Sequence, residues 1–238
     1  MDPIRGLYSP DRVKALFDRM SGSYERMNYI TSFGFSIRWR RQFLRHVPQL
    51  SGRVVVMDLM TGMGETWAGI HDRFRDVELW GLDFSAAMLG RAELRNRKHF
   101  NGSVRLCKED ILRNHLPSAQ FDVVYCAFGL KTFNTEQLRT LAKETKRILK
   151  PGGRFSFVEV SRPDNMVLGV LYRLHLKYIV PLVGSILLGG PDEYRMLWRY
   201  TKNYGNSRSA AETFAAQGLT VTLDRYFFGC ATGFHGYS

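Results

Sequence analysis

A chain of 238 residues with 45% hydrophobic content holds enough apolar material for one large α/β domain, or for such a domain with a substantial insertion. Its 34 basic against 22 acidic residues leave a net charge of +12, which invites nucleic acid or an anionic membrane surface as partner. Three widely spaced cysteines, Cys107, Cys126 and Cys230, read as reduced, buried thiols of a cytosolic protein and argue against a disulfide framework or a cysteine metal site, and no basic start followed by an apolar segment signals secretion or organelle import.

In residues 1–50, Val13, Leu16, Phe17 and Met20 recur at spacings of three and four before Ser21-Gly22-Ser23 breaks the run, which predicts a helical cap. Arg38-Trp39-Arg40-Arg41 and Arg45 follow on a helix with Phe43 and Leu44. That set suits a headgroup interface, with the indole at the apolar boundary and guanidinium groups on lipid phosphates; a solvated helix face is the alternative. Strands and helices then alternate: strand 53–58, helix 65–75, strand 77–83, helix 85–99 capped by Ser85, strand 103–108, strand 121–127, helix 135–149, and strand 154–160 after the turn Pro151-Gly152-Gly153. Such alternation implies a mainly parallel sheet with helices on both faces.

The alternation lapses at 161–205. Residues 166–190 are apolar but interrupted by Arg173, His175 and Lys177 and bent at Pro181, so the stretch is too broken to span a bilayer. Amphipathic helices closing over a site are expected, with core packing of a helical hairpin as the other reading. A helix at 208–217 and two strands, 219–224 and 226–232, antiparallel at the sheet edge, complete the chain. Four regions result: a helical cap at 1–50, a ligand-binding α/β core at 51–160, a helical lid insertion at 161–207, and a C-terminal helix with edge strands at 208–238.

Within the core, Val54-Val-Val-Met-Asp58-Leu-Met60-Thr61-Gly62-Met-Gly64 describes a buried strand turning into a nucleotide-binding loop. The next strand ends in Asp83, where a carboxylate can accept both hydroxyls of a ribose. Trp67 stands where a dinucleotide fingerprint has its third glycine, and an indole there should obstruct close helix-to-strand packing, so a pyrophosphate cofactor is disfavoured. Asp58 would repel phosphates but could reach a cationic amino acid group. The ligand that fits is S-adenosylmethionine, an adenosine without phosphate that carries a sulfonium and an amino acid tail.

With the acid-glycine loop, Asp83, the segment from Phe121 to Leu130 and Leu149-Lys-Pro-Gly-Gly153 in one order, the chain resembles the class I S-adenosylmethionine-dependent methyltransferases, whose fold is Rossmann-like with a seven-stranded, mainly parallel sheet. Phe17-Asp18, Tyr24-Glu25-x-Met27-Asn28, Ser32-Phe33-Gly34, Gly81-Leu82-Asp83-Phe84-Ser85-x-x-Met88-Leu89, Phe128-Gly129-Leu130, Tyr194-Arg195-x-Leu197 and the closing His235-Gly236 are similar to the UbiE/MenG family, which C-methylates the ring of lipid quinone precursors. The resemblance implies that Thr61, Gly62 and Gly64 line the methionine portion, that Asp83, with Phe84 beside it, binds the ribose, and that Asp110 faces the adenine amino group with Met88 packed nearby. Tyr24 would close over the cofactor, and Ala127 and Phe128 would line the methyl-transfer cleft. Two departures stand out: Lys131 and Thr132 replace the arginine and asparagine that usually follow Phe-Gly-Leu, and Met60 replaces a small residue. Lysine offers a point charge where arginine offers a planar fork, which changes how a ring oxygen can be held.

Methyl transfer is an in-line displacement, so the protein must align the reactants and exclude water. For a carbon acceptor, a base or a cation stabilising a phenolate would help. Lys131 is the candidate cation, with Arg195 beside it and Tyr194 as hydrogen-bonding partner, and His175 is the candidate base. The expected protein is therefore a cytoplasmic methyltransferase acting on a hydrophobic small molecule, a lipid quinone precursor first, with peripheral contact at an anionic inner-membrane surface. Another hydrophobic metabolite or a phospholipid amine is the second reading, a non-catalytic binding protein of this fold the third, and a homodimer is left open. No Asn/Asp-Pro-Pro-Tyr-type motif or catalytic Pro-Cys pair speaks for a nucleic acid substrate, and no metal is called for.

Overall fold

The structure, a computed structural model, describes residues 6–163, 165–180, 182 and 191–238; the side chains at 27, 31, 176, 191–195 and 197 lie outside the description. Pro181 and the side chains of Tyr194 and Arg195 therefore fall outside the described residues.

Three helices, α1 (Pro10–Met20), α2 (Tyr24–Thr31) and α3 (Phe35–Leu44), precede the first strand. The alternating core follows as β1 (Arg53–Leu59), α4 (Trp67–Arg73), β2 (Asp76–Asp83), α5 (Ala86–Phe100), β3 (Arg105–Lys108), β4 (Phe121–Ala127), α6 (Thr135–Ile148) and β5 (Leu149–Val160). Next come α7 (Met166–Leu174), continued by a π-helical turn at His175–Ile179, then α8 (Pro191–Tyr204), α9 (Arg208–Ala216), β6 (Thr220–Tyr226) and β7 (Ala231–Tyr237). The seven strands form one sheet in the order β3-β2-β1-β4-β5-β7-β6, parallel through β5, with β7 antiparallel to both of its neighbours. This is the expected α/β architecture.

Strand periodicity divides the core between the two faces of the sheet. Val55, Met57 and Leu59 of β1 join Leu138, Leu141 and Phe214 of α6 and α9 on one side, whereas Val54 and Val56 meet Phe43 of α3 and Trp67 and Ile70 of α4 on the other. Helix α3 is fixed by more than apolar packing: the hydroxyls of Ser156 and Tyr125 donate to the carbonyls of Phe43 and Leu44 at 2.9 and 3.1 Å, satisfying acceptors that a helix C-terminus leaves open. Helix α1 is tied to the N-terminus of α5, because Asp18 accepts from the Ser85 hydroxyl at 2.5 Å and the Ala87 amide at 3.3 Å. Desolvation would raise the Asp18 carboxyl, but the Lys14 ammonium and the Ser85 hydroxyl hold it below its ordinary value.

Three expectations need correction. The last strand runs from 231 to 237, not 226 to 232, because Phe227 and Phe228 take positive φ values of 40° and 56° and form a turn. Gly233 and Gly236, poor strand formers, belong in β7 because a Cβ would stand 2.2 Å from the Phe157 carbonyl oxygen and 1.7 Å from that of Thr220. Trp67 does not obstruct helix packing: its ring is fully buried over Gly64, where a Cβ would meet it at 2.5 Å. Trp39 is only 3% exposed and packs on Phe35 and Phe128, so its indole cannot sit at a headgroup boundary.

Candidate active site

The carboxyl ends of β1, β2 and β4 open into one cleft, roofed by α1 and α2, where the parallel strand order reverses between β1 and β4. Its floor is the loop after β1. Gly62 and Gly64 hold φ at 58° and 79°, and Met60 holds 52°, a strained value for a residue with a side chain. Met60 is accommodated because its sulfur fills the space where a Cβ on Gly129 would sit, 2.4 Å away, so the departure at 60 is matched by a glycine from the neighbouring strand end.

Asp83 is buried beside this loop and accepts the Gly62 and Ser85 amides, each at 2.9 Å, through its two oxygens. Burial pushes its carboxyl up to about 6 despite those amides. Asp110 and Met88 border the same cleft, Asp110 held by the Leu112 amide at 2.9 Å, together with Tyr24, Thr61, Phe84, Ala127, Phe128 and Thr132. The tyrosine meets Phe17 edge-on at 5.8 Å, and burial raises its phenol above the ordinary value.

Two residues expected at the ligand, Asp58 and Gly64, do not border the cleft. The Asp58 carboxylate is 1% exposed and accepts the Thr61 hydroxyl at 2.5 Å, while that hydroxyl accepts the Trp67 indole at 2.8 Å. Burial raises Asp58 to about 7 against the lowering effect of Thr61. Asp58 thus braces the loop and does not border the cleft, and Gly64 likewise faces Trp67.

A further carboxylate that borders the cleft is Glu65, which sequence reasoning misses. Its Oε2 accepts the Met63 amide at 3.1 Å, and its buried Oε1 lies 3.6 Å from Arg40 without a hydrogen-bond partner. Arg40 also borders the cleft, over the Phe128 ring at 4.9 Å, and its buried Nε is likewise unpartnered. Glu65 directly follows Gly-x-Gly, a readable signal; Arg40, in sequence, belongs to a basic stripe that suggests a surface. An unsatisfied acceptor and an unsatisfied donor side by side fit a ligand carrying both ammonium and carboxylate, as an amino acid tail does.

Tyr24 and Phe128 also line a second cavity, with Lys131, Ser36 and Tyr172. Lys131 is 4% exposed, donating to Glu159 Oε1 at 2.8 Å and to the Phe128 carbonyl at 2.9 Å. Glu159, fully buried at the end of β5, also accepts the Lys131 and Val160 amides at 3.1 and 2.7 Å. Its place at the end of an apolar strand is the signal that could have found it. His175 borders neither cavity; it stacks on Tyr172 with ring centres 6.3 Å apart and packs on Phe33 at 5.2 Å.

The sequence profile of the ubiE/COQ5 methyltransferase family matches residues 7–237. A demethylmenaquinone methyltransferase of Geobacillus kaustophilus is 30% identical over 229 residues, covering 95% of this chain and 97% of that protein. The enzyme of the same name from Thermus thermophilus is 29% identical, with 91% and 96% covered. Among solved structures, an S-adenosylmethionine-dependent methyltransferase of Thermotoga maritima, described as a possible histamine N-methyltransferase, superposes with a TM-score of 0.63 at 16% identity, over 94% of this chain and 98% of that one. An S-adenosylmethionine-dependent methyltransferase of Aquifex aeolicus gives 0.56 at 16%, with 83% and 88% covered. These two likenesses speak for the fold.

Proposed function

The chain belongs to the ubiE/COQ5 methyltransferase family and is an S-adenosylmethionine-dependent methyltransferase; from that premise we propose that it methylates a ring carbon of a lipid quinone precursor held in the second cavity. The observation that carries the reading is the shared wall: Tyr24 and Phe128 border both the cleft of Asp83, Asp110 and Glu65 and the cavity of Lys131. When bound, S-adenosylmethionine supplies an electrophilic methyl group on a sulfonium. Asp83 accepts the ribose hydroxyls, Asp110 the adenine amino group, and Glu65 with Arg40 takes the amino acid tail. Tyr24 and Phe128 exclude water from the boundary where the methyl group crosses.

On the acceptor side, two of the three donors of the Lys131 ammonium are held by Glu159 and Phe128, which leaves one for a ring oxygen. A cation fixed there favours binding of the ring hydroxyl in its ionised form, its proton released to solvent as the ring enters, and so raises electron density on the ring carbon. His175 borders neither cavity, so on this reading it is not the base. The names of the Geobacillus and Thermus relatives support a naphthoquinone-type ring.

Peripheral membrane contact is part of the same proposal. Met166, Val167 and Leu171 are 85%, 70% and 59% exposed on α7, near Arg173 and Lys177, with Phe33 and Phe228 also exposed at 77% and 68%. No helix among the described residues is long and apolar enough to cross a membrane. Such a surface suits entry of a prenylated substrate from an anionic bilayer, with α7 and the turn after it serving as the lid.

Incubation with methyl-labelled cofactor and a lipid extract tests the assignment. Label on a quinone ring carbon supports it; label on a headgroup amine transfers the assignment to the second reading; cofactor binding without any labelled product refutes it.

A further inference from the structure

Among the described residues, three metal-ligating side chains converge away from both cavities. His46 follows α3, Asp224 lies on β6 and His235 on β7, and their ligand atoms all fall within 4.8 Å of one another. Asp224 pairs with Gly233 and His235 with Thr222, so the two side chains are diagonal neighbours on one sheet face. His235 Nδ1 stands 2.9 Å from Asp224 Oδ2, and His46 Nε2 stands 3.5 Å from Asp224 Oδ1. The two imidazole rings stack at 4.5 Å and 14°.

We propose that His46, Asp224 and His235 form a site for one divalent transition-metal ion of the zinc class, which staples the α3–β1 connection to the antiparallel edge of the sheet. Ligands of a tetrahedral zinc ion with bonds of about 2.0–2.1 Å stand roughly 3.3 Å apart; the contacts of 2.9 and 3.5 Å end on the two different Asp224 oxygens and bracket that spacing, and one stacked ring turns to bring both nitrogens onto one ion. Two imidazoles and one carboxylate suit zinc, nickel or copper; magnesium and calcium prefer all-oxygen sets. His46 and His235 are 31% and 26% exposed in their side chains and Asp224 is 7% exposed, which leaves a solvent side for water as a further ligand.

A plain ion pair accounts for less of what is seen. Asp224 can take the Nδ1 proton of His235, but His46 Nε2 at 3.5 Å is then beyond a good hydrogen bond. Tyr226, whose ring lies 6.0 Å from His46, has a buried hydroxyl without a hydrogen-bond partner, a second polar group on this edge still unmatched. Metal binding requires His235 as the Nε2–H tautomer, so the Nδ1 proton moves to the outer nitrogen.

The test uses the full chain without a histidine tag, stripped with a chelator and titrated with zinc chloride at pH 7.5 by calorimetry, with magnesium chloride as the parallel titrant. One zinc per chain is expected, with no response to magnesium and at least tenfold weaker binding in His46→Ala and in His235→Gln. His99→Ala should bind as the parent does. Cobalt in place of zinc should give visible d–d absorption without a thiolate charge-transfer band, and the signal should vanish in His46→Ala. Circular dichroism confirms that each variant is folded; should His235→Gln unfold, His46→Ala decides alone. Absence of zinc binding at 0.1 mM, or binding unchanged in both histidine variants, overturns the proposal. Neither result bears on methyl transfer.

Discussion

Replacing Asp83 with alanine separates ligand binding from folding because the two respond to different parts of its surroundings. Loss of the carboxylate removes two charge-assisted hydrogen bonds to the ribose, about 1.5–3 kcal/mol each, so affinity for S-adenosylhomocysteine should fall by roughly 10²- to 10⁴-fold. Folding faces opposing effects. The amides of Gly62 and Ser85, each now donating at 2.9 Å, lose their acceptor at about 1–3 kcal/mol apiece. Against that, the burial that moves the carboxyl from 3.8 to about 6 costs the ionised form roughly 3 kcal/mol at neutral pH, which the substitution relieves. Stability should therefore change by less than about 3 kcal/mol while binding collapses. The pH dependence follows the same carboxyl. Its folded value lies above its unfolded one, so the native state holds the extra proton between 3.8 and about 6 and this group's contribution to stability declines as pH rises through that window. Binding runs the other way, because the ribose hydroxyls need the ionised acceptor, and affinity should drop as pH falls below about 6. Calorimetry from pH 5 to 8, with urea unfolding of both proteins, measures both. An Asp83→Ala protein that binds within threefold of the parent would refute the ribose assignment.

Three further substitutions probe the rest of the site. Glu65→Gln keeps the shape but removes the charge expected at the amino group, and should raise KM for the cofactor about tenfold with little change in kcat, read from steady-state kinetics. Lys131→Met should lower kcat at least 100-fold and destabilise the fold by about 3–5 kcal/mol by leaving Glu159 buried and unpaired, whereas the double variant Lys131→Met with Glu159→Gln should regain most of the stability but not the activity, as urea titration and turnover would show. Gly64→Ala forces a Cβ to within 2.5 Å of the Trp67 ring at a φ of 79° and should cost about 2–4 kcal/mol; unfolding midpoints within error of the parent would contradict the packing described for this loop.

Local signals make the sheet and half of the site legible. Apolar runs ending in Asp58 and Asp83, glycines at turns that need positive φ, and the Ser85 cap depend on neighbours in sequence, and each of these elements stands within two or three residues of its expected place. What escapes depends on contacts far apart in the chain. Arg40 turns inward because Ser156 and Tyr125 of the sheet anchor the end of its helix. Met60 is tolerated because Gly129 leaves room for it. Strand β7 lies five residues later than residue patterning suggests because its glycines have no strand propensity of their own and are set by close backbone approach to β5 and β6. Asp58, near the end of β1, gives up its expected place at the cleft to Glu65 because strand alternation turns Asp58 toward Thr61 and Trp67, partners that composition and motif spacing do not specify.

The claim on which the account rests is that the cleft and the neighbouring cavity are the two halves of one methyl-transfer site. A crystal structure of the chain with S-adenosylhomocysteine and a short-chain naphthoquinol tests it most directly. The nucleoside should lie between Asp83 and Asp110, its sulfur should point at the Tyr24–Phe128 boundary, and a ring oxygen should stand within hydrogen-bonding distance of Lys131 Nζ. A ring bound on the far side of α7, or a cavity around Lys131 that stays closed by Tyr24 and Phe128 with both ligands present, would contradict it.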